Sequence, residues 1–229
     1  MLELNKVYHG NCIDLLKQMP DKSIDVCITD FPYGVNVDYG GYFEDTRENL
    51  KKLIKEVMPE IQRVCKRIVL TCGTSNIYLY PEPDWIMAWI NTAGANMNKW
   101  GFTCWHPILC YGKDAYLEKC KGGRPDIIME NACSDKVNHP CPKPVKFWRK
   151  LLQRVSISDD DIILDPFAGS GVSLLVAKQL NRKFIGFEIN PDYVDICNKR
   201  LSQKTMFEIA EKRDTLNSYM EVSGNSSHN

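Results

Sequence analysis

"DIILDPFAGSGVSLL" (residues 161–175) opens on an apolar run, turns through Asp165-Pro166-Phe167-Ala168-Gly169-Ser170-Gly171, and resumes as an apolar, helix-forming stretch. Glycines at such a turn let the backbone pass close to a ligand, and the helix that follows offers N–H groups without partners of their own. The next run, "KFIGFEI" (183–189), reads as a strand. It brings Glu188 to the place, about 20 residues beyond the loop, where a carboxylate accepts from ribose hydroxyls. The pattern is that of a strand, a phosphate- or ribose-side turn and a helix, the repeating unit of a parallel sheet.

The same alternation recurs at the other end of the chain. "SIDVCITD" (23–30) and "RIVLTCG" (67–73) are short β-branched runs bounded by polar residues or glycine. Between them, residues 46–66 carry Leu50, Leu53, Ile54, Val57, Ile61 and Val64 at the spacing of one helical face. Helices are also expected over 145–154, 173–180 and 192–201, the last starting just after Pro191. The class is α/β with a largely parallel sheet. Residues 74–140 are less regular and rich in turn formers. They predict loops, a short helix from Trp85 to Ile90, and one or two strands near "FTCWHPILCY". The tail after about Val222 has little to bury and is expected to be disordered.

The chain has 229 residues, enough for one substantial domain, and 29 basic side chains balance 29 acidic ones. A nucleic-acid partner must therefore meet a local basic patch. The N-terminal stretch lacks the pattern of a secretory signal and no apolar run is long enough to span a bilayer, so an intracellular, cytoplasmic protein is expected. Ten cysteines are scattered without a C-x-x-C pair and read as free thiols. Cys133, His139 and Cys141 cluster only irregularly, and no metal is expected.

Leu174 stands where G-x-G-x-x-G would place its third glycine, which disfavours a dinucleotide. An adenosine-containing ligand without a pyrophosphate fits better, and S-adenosylmethionine is the candidate. At the tip of the first strand, Asp30-Phe31-Pro32-Tyr33 puts a carboxylate, a proline and a ring at the same sheet edge. The Asp30 carboxylate and the Phe31 carbonyl suit the exocyclic amine of adenine or cytosine, with Tyr33 as a stacking surface. Accepting both hydrogens draws the nitrogen lone pair out of conjugation and makes it a nucleophile toward a methyl sulfonium. Pro32 holds Phe31 extended.

Three segments together carry a resemblance. "TDFPYG" (29–34), "HPCPKP" (139–144) and "DPFAGSG" (165–171), the last followed by "GFEINPDYV" (186–194), resemble in this order the amino-methyltransferases of DNA, the adenine-N6 and cytosine-N4 class, in the permuted arrangement called the β group. The opening "HGNCIDLLKQMPDKSIDVCITD" is similar to that family's lead-in, and the matches span about two thirds of the chain. The resemblance implies the class I methyltransferase fold, a doubly wound, mostly parallel sheet of the seven-stranded type. It implies one domain over 1–205 with a variable insertion at about 74–138, then a helical extension and tail over 206–229. It assigns base handling to Asp30, Phe31, Pro32 and Tyr33. It assigns S-adenosylmethionine binding to Asn11, Cys12, Asp165, Phe167, Gly169, Ser170, Gly171, Ser173 and Glu188, with His139 and Lys143 near the cofactor's carboxylate. The family usually has proline at Phe31, which puts the pocket's shape in question, and aspartate at Asn11.

DNA is the expected partner. Basic side chains without acids among them run through 136–154 (Lys136, Lys143, Lys146, Arg149, Lys150, Arg154), and Lys119, Lys121 and Arg124 form a second, flexible group. Trp85 and Trp89, four apart, read as one face of a packed helix. The resemblance implies adenine N6 through the aspartate at position 30, where the family's cytosine-N4 members more often carry serine. Cytosine N4, an RNA base and an inactive binding module stay open as alternatives. The small insertion leaves a short target, weak specificity or a homodimer as ways to read sequence.

Overall fold

The computed structural model describes residues 2–92, 97–98, 100–131 and 143–203. Their centre is an eight-stranded sheet. In chain order its strands are β1 (Lys6–His9), β2 (Ile24–Asp30), β3 (Cys65–Thr71), β4 (Trp85–Ile90), β7 (Trp105–Tyr111), β8 (Ile127–Met129), β9 (Ile162–Asp165) and β10 (Lys183–Glu188). A two-stranded ribbon, β5 (Met97–Asn98) with β6 (Gly101–Phe102), stands apart. Across the sheet the order is β1-β10-β9-β2-β3-β7-β4-β8. The first five are parallel, β7 runs against both β3 and β4, and β8 is parallel to β4. The expected seven-stranded type thus gains an eighth strand at one edge.

Helices cover both faces, as a sheet buried on two sides demands. On one face lie α1 (Cys12–Leu16) and α2 (Arg47–Val64), whose Leu16, Leu50, Ile54 and Ile61 pack with Cys27, Leu164 and Ile185 of the strands. On the other lie α4 (Val145–Val155), α5 (Val172–Gln179) and α6 (Pro191–Leu201), whose Phe147, Leu151, Val176 and Cys197 pack with Val26, Ile28 and Ile163. Neighbours along one strand, such as Val26 and Cys27, enter different layers, the period-two alternation of extended chain. A short α3 (Ala115–Glu118) precedes β8.

The helix expected from Trp85 to Ile90 is a strand. "WIMAWI" is aromatic and aliphatic, and every one of its residues pairs with β7. Trp85 and Trp89 do share a face, as residues four apart also do in a strand. Their surroundings differ, because Trp85 is 62 % exposed at one end while Trp89 is buried at the other. No helix among the described residues is long and apolar enough to cross a membrane. The described cysteines are all free thiols.

Connections from β2 lead outward through α2 to β3, and those from β9 lead the opposite way through α5 to β10. The carboxyl ends of β2 and β9 therefore flank the point where the winding reverses, which opens a crevice at that edge. Gly171, the residue before α5, holds φ 76° and ψ 26°, and a methyl group added there would land on Cys197 Sγ of α6. Gly171→Ala should lower stability by about 2–4 kcal/mol, combining left-handed backbone strain with overpacking. A urea unfolding curve measures the loss, and adding Cys197→Ala should restore the packing part only.

Candidate active site

The crevice is a cleft of about 360 Å³, within the usual size range of ligand pockets. Of the residues singled out from sequence, it gathers Asn11, Cys12, Asp30, Pro32, Lys143, Asp165, Phe167, Gly169, Ser170, Ser173 and Glu188. Chain ends more than a hundred residues apart meet here because β2 and β9 are neighbours.

Asp165, at the tip of β9, is buried and acts as the junction. Oδ1 accepts from the Thr29 hydroxyl of β2 at 2.6 Å and from the Phe167 N–H at 3.1 Å, and Oδ2 accepts from the Ser173 hydroxyl. The glycine loop is thereby tied to both central strands. Burial outweighs these hydrogen bonds and pushes the carboxyl up to about 6.

Glu188 closes β10. Its Oε2 accepts from the Gly169 N–H at 2.7 Å and Oε1 from the Asn190 N–H at 2.9 Å. Main-chain donors fix its orientation, each oxygen keeps a further lone pair, and burial raises its affinity for a proton. Asn11 caps α1 by accepting from the Ile13 N–H at 2.9 Å, and it borders the cleft. The Cys12 thiol is pushed up to about 12 by burial and is inert.

Asp30 ends β2. Oδ1 accepts from the Thr71 hydroxyl of β3 at 2.6 Å, and Oδ2 is ion-paired with Lys143 Nζ. Lys143 also donates to the Tyr33 hydroxyl at 2.7 Å. The resemblance implies a place for Lys143 near the cofactor's carboxylate; the structure sets it between the two groups assigned to the base and on the lining of the same cleft. Burial, then the Asp30 charge, raises the Tyr33 phenol well above its ordinary range and keeps it protonated. His106 of β7 stacks on Trp89 at 4.9 Å and tilts toward Tyr33 at 6.3 Å. Burial and the Lys143 charge lower it to about 4, so its imidazole is neutral.

The segment after Tyr33 is held by one buried acid. Asp45 accepts from the N–H groups of Gly34, Val35 and Val37, and Asn76 donates to the Tyr33 carbonyl while accepting from Arg47. This holds Tyr39, Tyr42 and Phe43 at the cleft. Sequence reading missed those three, as well as Asn190 and Tyr193. The signal was "YGGYF", whose Gly40 and Gly41 both take positive φ between aromatic residues.

Two expectations change, and the question of where the Phe31 ring goes is answered. The Phe31 ring does not line the cleft: it is buried against Tyr80 and Phe167, with centroids 5.5 and 4.6 Å away, so it supports the floor. Gly171 likewise faces α6 rather than the cleft, for want of room beside Cys197. Lys119, Lys121 and Arg124 follow β7, whose end pairs with the start of β3, so they sit at the sheet edge opposite Asp30. There Arg124 lies over the Tyr116 ring. Lys150 is paired with Glu130 and Arg149 with Gln179, which leaves Lys146 exposed on the first turn of α4. Lys136, His139, Cys133 and Cys141 lie outside the described residues.

A carboxyl that holds its proton more tightly in the folded state stabilises the protein at acid pH, and that contribution fades as pH rises through the folded value. Asp165 has this sign, between 3.8 and about 6. From about pH 4 to about pH 7, the wild type should lose on the order of 2–3 kcal/mol relative to Asp165→Asn, read from denaturant midpoints.

A family model described as DNA methylase matches residues 116–199. The DNA adenine methyltransferase YhdJ of Escherichia coli (strain K12) is 26% identical over 91% of this chain and 86% of its own. Among solved structures, the PvuII DNA methyltransferase (cytosine-N4-specific) superposes with a TM-score of 0.68 at 16% identity, covering 91% of this chain and 93% of that one. The M1.HpyAVI–SAM complex does so with a TM-score of 0.60 at 21% identity, covering 86% and 99%. The Asp30 and Asp165 motifs meet at one cleft together with Lys143, and the chain is similar, over most of its length, to DNA methyltransferases of the adenine-N6 and cytosine-N4 kind.

Proposed function

We propose that this protein methylates the N6 amine of adenine in DNA, with S-adenosylmethionine as donor and the target nucleotide turned out of the helix. The observation that carries the reading is the Asp30 carboxylate at the tip of β2, on the rim of the same cleft as the glycine loop and Glu188.

The residues present suit the cofactor. Glu188, fixed by two N–H groups, has lone pairs left for ribose hydroxyls, and Asn11 and Cys12 border the adenine side. Phe167, Gly169, Ser170 and Ser173 form the wall for the methionine end. S-adenosylmethionine supplies, when bound, an electrophilic methyl group on a sulfonium. Asp30 accepts one hydrogen of the target amine and the Phe31 carbonyl the other, which localises the nitrogen lone pair for in-line attack. Buried Phe31 and the Thr71 hydroxyl keep both acceptors in place.

Base chemistry of this kind requires an extruded nucleotide. The edge that carries Asp30 also carries exposed Trp100, Phe102 and Trp105 near the β5–β6 ribbon, and Lys146 at the start of α4. We assign the duplex to that edge, inside the cell where DNA and the methyl donor occur together. YhdJ, an adenine methyltransferase, supports N6. The cytosine-N4-specific PvuII enzyme keeps N4 as the second reading.

Labelled donor should transfer its methyl group to DNA, and nucleoside digestion should yield N6-methyladenine. N4-methylcytosine instead would move the assignment to the second reading. Asp30→Ala should cut transfer at least about a hundredfold while leaving cofactor binding intact.

A further inference from the structure

The Lys143 ammonium occupies the position that the proposed function gives to the substrate amine. Nζ donates to Asp30 Oδ2 and, at 2.7 Å, to the Tyr33 hydroxyl, and it lies 4.8 Å from the Tyr33 ring centroid. The side chain is only 9 % exposed. An ammonium presents N–H groups and no acceptor, as an exocyclic amine does toward a carboxylate. It satisfies Asp30 and fills the base position at once.

The same side chain borders the cofactor cleft. It is the one cationic side chain among the described lining residues, which also include Asp30, Asp165 and Glu188. Arg200 touches the Ser170 hydroxyl at 3.2 Å from outside that lining. A ligand carboxylate lodged beside Ser170 and Ser173 therefore finds its cationic partner on the cleft wall in Lys143, which Asp30 already holds.

We propose that Lys143 is a positioning residue that couples the two ligands. Before the cofactor enters, its ammonium holds Asp30; the cofactor's carboxylate then draws it away and frees Asp30 for the target amine. The inference rests on the methyltransferase reading of the cleft. Two carboxylates competing for one ammonium are thermodynamically linked, so removing the claim of Asp30 must strengthen binding of the cofactor's amino-acid end.

Calorimetric titration tests this without DNA. The ligands are S-adenosylhomocysteine and 5′-methylthioadenosine, which lacks the amino-acid carboxylate; the proteins are wild type, Asp30→Asn, Lys143→Met and the double variant. Asp30→Asn should tighten S-adenosylhomocysteine binding on the order of tenfold, with no tightening when Lys143 is already methionine. Binding of 5′-methylthioadenosine should stay within about twofold throughout, which also shows that each variant is folded. Unchanged or weaker S-adenosylhomocysteine binding in Asp30→Asn would overturn the proposal. So would equal tightening in the Lys143→Met background, which would mean direct repulsion by Asp30. A wild type that binds neither ligand would remove the cofactor assignment itself.

Discussion

The hydrogen bond from Thr29 to Asp165 joins the tips of the two strands between which the winding of the sheet reverses. Thr29 immediately precedes Asp30, and Asp165 begins the glycine loop, so one 2.6 Å contact sets the Asp30 strand tip against that turn. Ser173 adds a second tie from the first turn of α5. The cost is a fully buried carboxyl whose proton affinity rises, a destabilisation accepted at a functional junction and offset by packing elsewhere.

What could be read from the sequence was what local chemistry determines. The runs ending in Asp30 and Asp165, the helix between Leu50 and Val64, and the turn through Gly169 follow from apolar periodicity and from residues that only special backbone positions require. Residues 85–90 were misread because a six-residue aromatic run satisfies both periods, and only the partner strand β7 decides between them. β1 and β8 are three or four residues long and owe their existence to neighbours already in the sheet. The cleft acids and glycines were foreseeable as a set. Which way a side chain turns was not: Phe31 and Gly171 belong to motifs, yet the Phe31 ring packs on Phe167 in the floor and Gly171 fits against Cys197, where a Cβ would clash.

The basic residues show the same limit from another side. Charge along the sequence cannot tell which end of a strand a loop follows. The antiparallel β7 carries the segment with Lys119, Lys121 and Arg124 to the edge away from the cleft, while the start of α4 returns the chain to it. Net neutrality then has a structural meaning. Several cations are spent on nearby acids and carbonyls, such as Arg154 on Asp114 and Lys150 on Glu130.

Three acids border one cleft, and the partners of each define what it can do. Asp165 is occupied by two buried hydroxyls and an N–H, all part of the frame. Glu188 is oriented by two main-chain N–H groups that cannot leave, so it can receive a ligand but not rearrange for one. Asp30 is held on one oxygen by the Thr71 hydroxyl and on the other by the end of a long, flexible side chain. Only there is a partner exchangeable without disturbing the sheet. On the proposed reading, a site that takes both a cofactor and an amine needs one such acid, and the strand geometry puts it at the mouth.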